Sequence, residues 1–215
     1  MKKFLTLLDE YKYLIALLST LNFLLTPIHI EVSGFNATHV VVINYSLVIL
    51  ASSLIASNNK NRARTYILGL IALSFIWIEY MERVSVSIEV LRLISSLVLF
   101  SNFCVLLVQQ LRNIKTMNLK FILGPLLGFI YLGIIGGILF EFTHLMDPAS
   151  FQFTKNFSGY SFYYFSFISI TTVGYGDITP LTAPAQSLTL VMNIIGQFYL
   201  AIVIAVFVGK YINEK

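Results

Sequence analysis

Residues 172–177, Thr-Val-Gly-Tyr-Gly-Asp, hold the groups best placed to act on a solute. Gly174 and Gly176 stand two apart, and glycine takes φ > 0 without the Cβ strain other residues suffer. With every second residue able to turn over, successive carbonyls can all point one way, which neither helix nor strand permits. A file of oxygens can then replace water around a dehydrated cation, and Thr172 can add its hydroxyl at the inner end. The chemistry is coordination, with no bond made or broken. In a soluble chain a lone Gly-Tyr-Gly would be a turn. Here an apolar helical stretch precedes it, Asp177 and Pro180 follow, and long apolar segments lie on both sides.

The surrounding composition fixes the setting. Of 215 residues, 57% are hydrophobic and 11% charged, with a mean hydropathy of +0.82. A soluble globular chain carries about 25% charged residues, so this one cannot cover its surface in water and reads as a polytopic membrane protein. The pI near 9.1 does not indicate nucleic acid, because the positive residues sit in short loops between apolar runs. Cys104 is single, which excludes an intrachain disulfide and leaves the redox compartment open. No Cys/His cluster has metal-ligand spacing, and no nucleophile–base set suggests an enzyme.

A membrane-spanning helix needs about 20 apolar residues. Segments at 11–29, 38–57, 65–80, 86–110, 120–141 and 184–210 meet that need, the third being the shortest and the fourth long enough for a cytoplasmic extension. Asp9, Glu10 and Lys12 interrupt the first apolar stretch, and no small-residue cleavage site follows. The N-terminus therefore reads as a cytoplasmic leader rather than a signal peptide. Lys2, Lys3, Lys12, Lys60, Arg62, Arg64, Arg112, Lys115, Lys120, Lys210 and Lys215 fall on one side, against Arg83 and Lys155 on the other. That bias predicts cytoplasmic termini and places 172–177 towards the outside.

The hexapeptide resembles, without a mismatch, the signature of the tetrameric six-transmembrane potassium channels. The resemblance implies an all-α membrane protein with six transmembrane helices plus a re-entrant pore helix and filter loop. Its domains would be a four-helix sensor-like part at 1–110, a linker at 111–119 and a pore domain at 120–215. It implies a homotetramer in the plasma-membrane bilayer that passes K+ along Thr172, Val173, Gly174, Tyr175 and Gly176. There is no cofactor beyond the permeant K+, which would bind at Thr172, Val173, Gly174 and Tyr175, and no nucleic-acid partner.

The same resemblance suggests the supporting residues. The pore helix, about 160–171, is aromatic, and Tyr164-Phe165 stands where many potassium channels have a Trp-Trp pair. In those channels the first ring bonds the aspartate after the filter, so a Tyr164–Asp177 hydrogen bond is expected, with Thr171 also supporting the filter. Ile168 replaces a glutamate that some members place behind the filter. Glu141, which is expected to end the fifth helix, is either a solvated carboxylate or an acid bonded to backbone behind the filter. Gly196 matches the inner-helix hinge, though close packing on the pore helix is an equal reading. Asn193 at membrane depth either lines a cavity or bonds another helix. Ala201, Ile204, Ala205 and Val208 are the kind of residues that line a hydrophobic inner mouth. Gly124-Pro125, Gly128, Gly133, Gly136 and Gly137 let the fifth helix approach its neighbours closely, while Pro125 reads as a hinge or a packing kink.

Voltage-gated relatives carry an arginine at every third position of their fourth helix. Residues 86–110 hold Arg92 alone, with Glu89 one turn earlier. Moving one charge through 100 mV supplies about 2.3 kcal/mol, and steep gating takes three or four charges per subunit. Weak or absent voltage dependence is expected, with Arg92 paired to Glu89, and Glu82 and Glu79 as other acids in reach. The four helices would be a scaffold or sense something else. His29, His39 and His144 read as solvated histidines near the outer side, and Asn36 and Asn156 head glycosylation sequons. A non-conducting or regulatory subunit built on the pore fold is the rival reading. Uptake transporters of related fold carry four filter-like segments in one chain, whereas this chain has one.

Overall fold

The computed structural model describes residues 2–34, 36–57, 62–82, 85–112, 119–154 and 159–213. Its helices are α1 (Lys2–Leu24), α2 (Thr26–Ser33), α3 (Ala37–Ser53), α4 (Arg62–Glu82), α5 (Val86–Arg112), α6 (Leu119–Met146), α7 (Ser161–Ile170) and α8 (Ala183–Asn213). Two short strands, β1 (Phe151–Phe153) and β2 (Ile178–Pro180), pair antiparallel, with Gln152 opposite Thr179. Helices α4, α5, α6 and α8, and α3 together with the 3-10 turn Leu54–Ala56 that continues it, are each long and apolar enough to cross a membrane. α1 and α2 meet the same test together, bent by 57°.

The apolar segment read at 11–29 is thus a bent pair of helices. Helical structure already begins at Lys2 and breaks at Leu25. Pro27, in the first turn of α2, has no N–H to continue the ladder. Thr26 turns its hydroxyl back to the carbonyl of Phe23 at 2.6 Å. The break is also held from α3: Asn44 donates to Thr26 Oγ1 at 2.9 Å, lies 3.2 Å from His29 Nδ1, and accepts from Asn22 at 3.0 Å.

The described residues form two compact units. One holds α1–α5 and α6 as far as Leu127; the other holds α6 from Gly128 onward with α7, α8 and both strands. Most of the expected linker, residues 113–118, lies outside the described residues, as do Asn156 and Lys155. In the first unit a file of rings runs from Phe23 to Tyr45, Phe100 and Phe103, with successive centroids 5.4, 5.8 and 5.6 Å apart. Several polar side chains pair with one another in the same unit. Arg64 donates to Asn102 at 2.9 Å, Asn102 to Thr65 at 3.0 Å, and Tyr13 to Gln110. Lys12, buried, donates to Ser57 at 3.3 Å.

Arg92 has a different partner from the one expected. It is ion-paired with Glu79 of α4, not with Glu89 on its own helix. His39 stays exposed in the first turn of α3, as the solvated reading expects, while His29 and His144 are partly buried and depart from it. His29 faces Asn44, His39 lies edge-on to Tyr80 at 5.2 Å, and His144 sits 5.2 Å from the Phe162 ring and 5.7 Å from Phe153.

In the second unit the glycines of α6 receive side chains from both neighbouring helices. Gly133, Gly136 and Gly137 face Phe167, Ser166 and Tyr163 of α7, while Gly128 faces Tyr199 of α8. A Cβ on Gly137 would lie 3.0 Å from the Cα of Tyr163, so α7 can sit this close only because no side chain intervenes. α6 continues past Glu141 to Met146, which corrects the expectation that Glu141 ends it. α7 is anchored by an aromatic cluster, with Phe140 4.9 Å from Phe165, and Phe151 5.5 Å from Phe162 and 5.6 Å from Phe165.

Candidate functional site

α7 is ten residues long and hydrophobic on nearly every face, so it is stable only when surrounded, and seven of its residues are buried. Its last turn tightens. Thr171 donates its N–H to Phe167 O at 3.1 Å and its hydroxyl to the same carbonyl at 2.6 Å. The chain then leaves the helix and doubles back along it. Thr172 N–H reaches Ser169 O at 3.0 Å, and Val173 and Gly174 N–H both reach Ile168 O, at 2.9 and 3.0 Å. At position 168 the side chain is buried, and the carbonyl holds the loop.

Along the loop, Thr172, Gly174 and Gly176 take φ of 60°, 53° and 77°. Every second residue is therefore left-handed. Glycine does this freely, whereas a threonine there is strained by roughly 1–3 kcal/mol and persists only where its surroundings over-determine it. Thr172 also donates its hydroxyl to Thr171 O at 2.7 Å, keeping the oxygen's lone pairs directed elsewhere.

The far end of the loop is tied down twice. Tyr164 donates to Asp177 Oδ2 at 2.9 Å, the bond expected from sequence. The carbonyl of Asp177 accepts from the N–H of Thr154 at 3.0 Å and its hydroxyl at 3.1 Å, extending the β1–β2 pairing by one residue. Glu141 brings Oε1 to 3.8 Å from where a Gly159 Cβ would lie, so it stands against the start of α7. Between its tethers the loop is open. Residues 171–176 are all exposed, Val173 by 51% and Tyr175 by 73%.

α8 meets the other end of α7. Gly196 is pressed against Ile170, where an added Cβ would come 2.9 Å from its Cβ, 3.1 Å from its carbonyl oxygen and 3.2 Å from its Cα. Gln197 donates to Ile170 O at 3.3 Å. With its amide nitrogen turned to the carbonyls, Asn193 donates to Ser169 O at 3.2 Å and Thr189 O at 3.3 Å. Of its two sequence readings, the structure realises the helix–helix bond. Gln197 has no role in the sequence reading; its signal is its place one turn after Asn193, beside Gly196. Ala201, Ile204, Ala205 and Val208 are exposed along the second half of α8.

Residues 126–213, which take in most of α6, α7, the loop and α8, match a family model described as ion channel. The match covers less than half of the chain. No curated protein and no solved structure matches it. Residues 126–213 are thus similar to an ion-channel family, in a chain whose several helices long and apolar enough to cross a membrane fit a multi-pass membrane protein.

Proposed function

We propose that the chain is a subunit of a potassium-selective channel, with Thr172, Val173, Gly174, Tyr175 and Gly176 as its filter. The observation that carries this reading is the alternation of left-handed backbone at Thr172, Gly174 and Gly176. That alternation lets consecutive carbonyls turn to one side, as a dehydrated monovalent cation requires. Tyr164, Asp177 and Thr171 brace the loop. Four copies close it around an axis, which accounts for a loop exposed in the single chain. α1 with α2 counts as one span, giving six, and both termini are cytoplasmic by loop charge. Conduction is passive: ions occupy several sites and displace one another. With Arg92 paired to Glu79, the pore is weakly voltage-dependent or independent of voltage.

The test is ion flux through purified protein in planar bilayers, with potassium on one side, sodium on the other, and voltage stepped. A reversal potential near the potassium limit that is lost in Gly174→Ala is expected. Zero conductance in verified tetramers that still bind potassium would favour a regulatory, non-conducting subunit.

A further inference from the structure

The last two residues of α7 are held through their carbonyls by amide side chains of α8. Asn193 donates to Ser169 O at 3.2 Å and Gln197 to Ile170 O at 3.3 Å. Positions four apart on a helix share a face, and Gly196, beside Gln197, lets that face reach the Ile170 backbone. The carbonyl of Ser169 has a second donor, the N–H of Thr172 at 3.0 Å. One oxygen therefore joins the α8 amide to the first residue of the filter. That residue is the strained one, a threonine at φ 60°.

Resting on the potassium-filter reading, we propose that Asn193 and Gln197 are positioning residues for the filter. They fix the Ser169 and Ile170 peptides, which hold Thr172 left-handed with its oxygens turned to the ion path. The filter's inner end is then conductive only while α8 keeps its place against α7. Apolar contacts between two helices tolerate a small slide, but a hydrogen bond weakens steeply with distance and angle. A rotation or shift of α8 breaks both amide bonds together and releases Thr172 towards an unstrained conformation. Movement of α8 thus reaches the ion path at the filter, through two side chains.

The experiment compares full-length wild type with Asn193→Leu, Gln197→Leu and the double variant in planar bilayers. Potassium/sodium permeability ratio and single-channel burst duration are measured, with the tetramer fraction followed by gel filtration. Each single variant is expected to assemble and to lose about tenfold in burst duration or permeability ratio, the size of one lost hydrogen bond. Because both bonds act on one element, the double variant is expected to fall short of the summed effects. Raising external potassium should lengthen the bursts again, since bound ions support the conducting filter, whereas a helix–helix contact alone would not respond. Wild-type ratios and bursts in all three variants would overturn the proposal and leave the amides as interhelical ties. Gln197→Leu, at an exposed position, supplies the same readout where Asn193→Leu lowers tetramer yield. A wild type without potassium selectivity would overturn the filter reading itself, and this inference with it.

Discussion

Arg92 on α5 is ion-paired with Glu79 on α4, thirteen positions before it in the chain. The arginine side chain is 12% exposed and the glutamate 33%, so the pair sits largely within the hairpin. Removing one partner of a buried pair costs about 3 kcal/mol or more, because the other charge is left uncompensated, while replacing both with apolar residues is often neutral. Glu79→Leu should therefore lower thermal stability clearly, and Glu79→Leu with Arg92→Leu should recover most of the loss. A double-mutant cycle on purified protein checks this. A paired single charge also predicts that the conductance–voltage curve of the double variant overlays the wild type. A change of slope would identify Arg92 as a gating charge after all.

Tyr164→Phe removes the donor to Asp177 and leaves the ring. A hydrogen bond to a charged group is worth about 1.5–3 kcal/mol. The outer end of the loop then keeps its link through Thr154 to the strand pair. Faster decay of potassium current under sustained conduction is expected, with tetramer assembly unchanged. Identical decay in Tyr164→Phe and wild type would show that the strand pairing alone holds Asp177.

What the sequence discloses here depends on whether one local run carries the information. The run 172–177 does, because its glycine spacing states the backbone it needs, and Tyr164 lies at a position whose partner can be named. Arg92 is different. Glu79, Glu82 and Glu89 are all acids in reach by sequence, and the choice among them is made by how α4 and α5 face each other. The first span reads as continuous because its hydropathy is continuous; Pro27 was the signal for the break, and Asn44, far along the chain, is what holds it. Gln197 has no signal beyond its place one turn after Asn193. It acquires a role only because Gly196 brings α8 against Ile170.

The break between α1 and α2 gives a prediction for the first unit. Asn44 donates to Thr26, faces His29 and accepts from Asn22, so one side chain satisfies three others. Asn44→Leu keeps the volume roughly constant and leaves those groups without that partner. Interhelical polar contacts within a bilayer are worth about 0.6 kcal/mol each on average, so a loss of about 2 kcal/mol is expected across the network. Thermal unfolding of the variant in detergent measures it. Stability equal to wild type would mean that Pro27 and Thr26 set the bend unaided.

Gly196→Ala separates two roles for this residue. α8 runs unbroken through position 196, and the residue is buried against the end of α7. Contacts below about 3 Å from a Cβ require something to move, and what faces Gly196 includes the Ile170 backbone rather than a flexible side-chain tip. If close packing is its function, one methyl group must displace the Ile170 peptide or push α8 outward. Either movement also disturbs the Gln197 bond to Ile170 O. The variant should then lose both tetramer stability and potassium selectivity, read by gel filtration and by reversal potential in mixed potassium and sodium. A hinge makes the opposite demand. Alanine is the better helix former by about 1 kcal/mol, so it would stiffen α8 and change open probability while leaving selectivity and assembly intact. Retained selectivity with altered opening would therefore assign Gly196 to bending, while joint loss of both properties assigns it to the contact with Ile170.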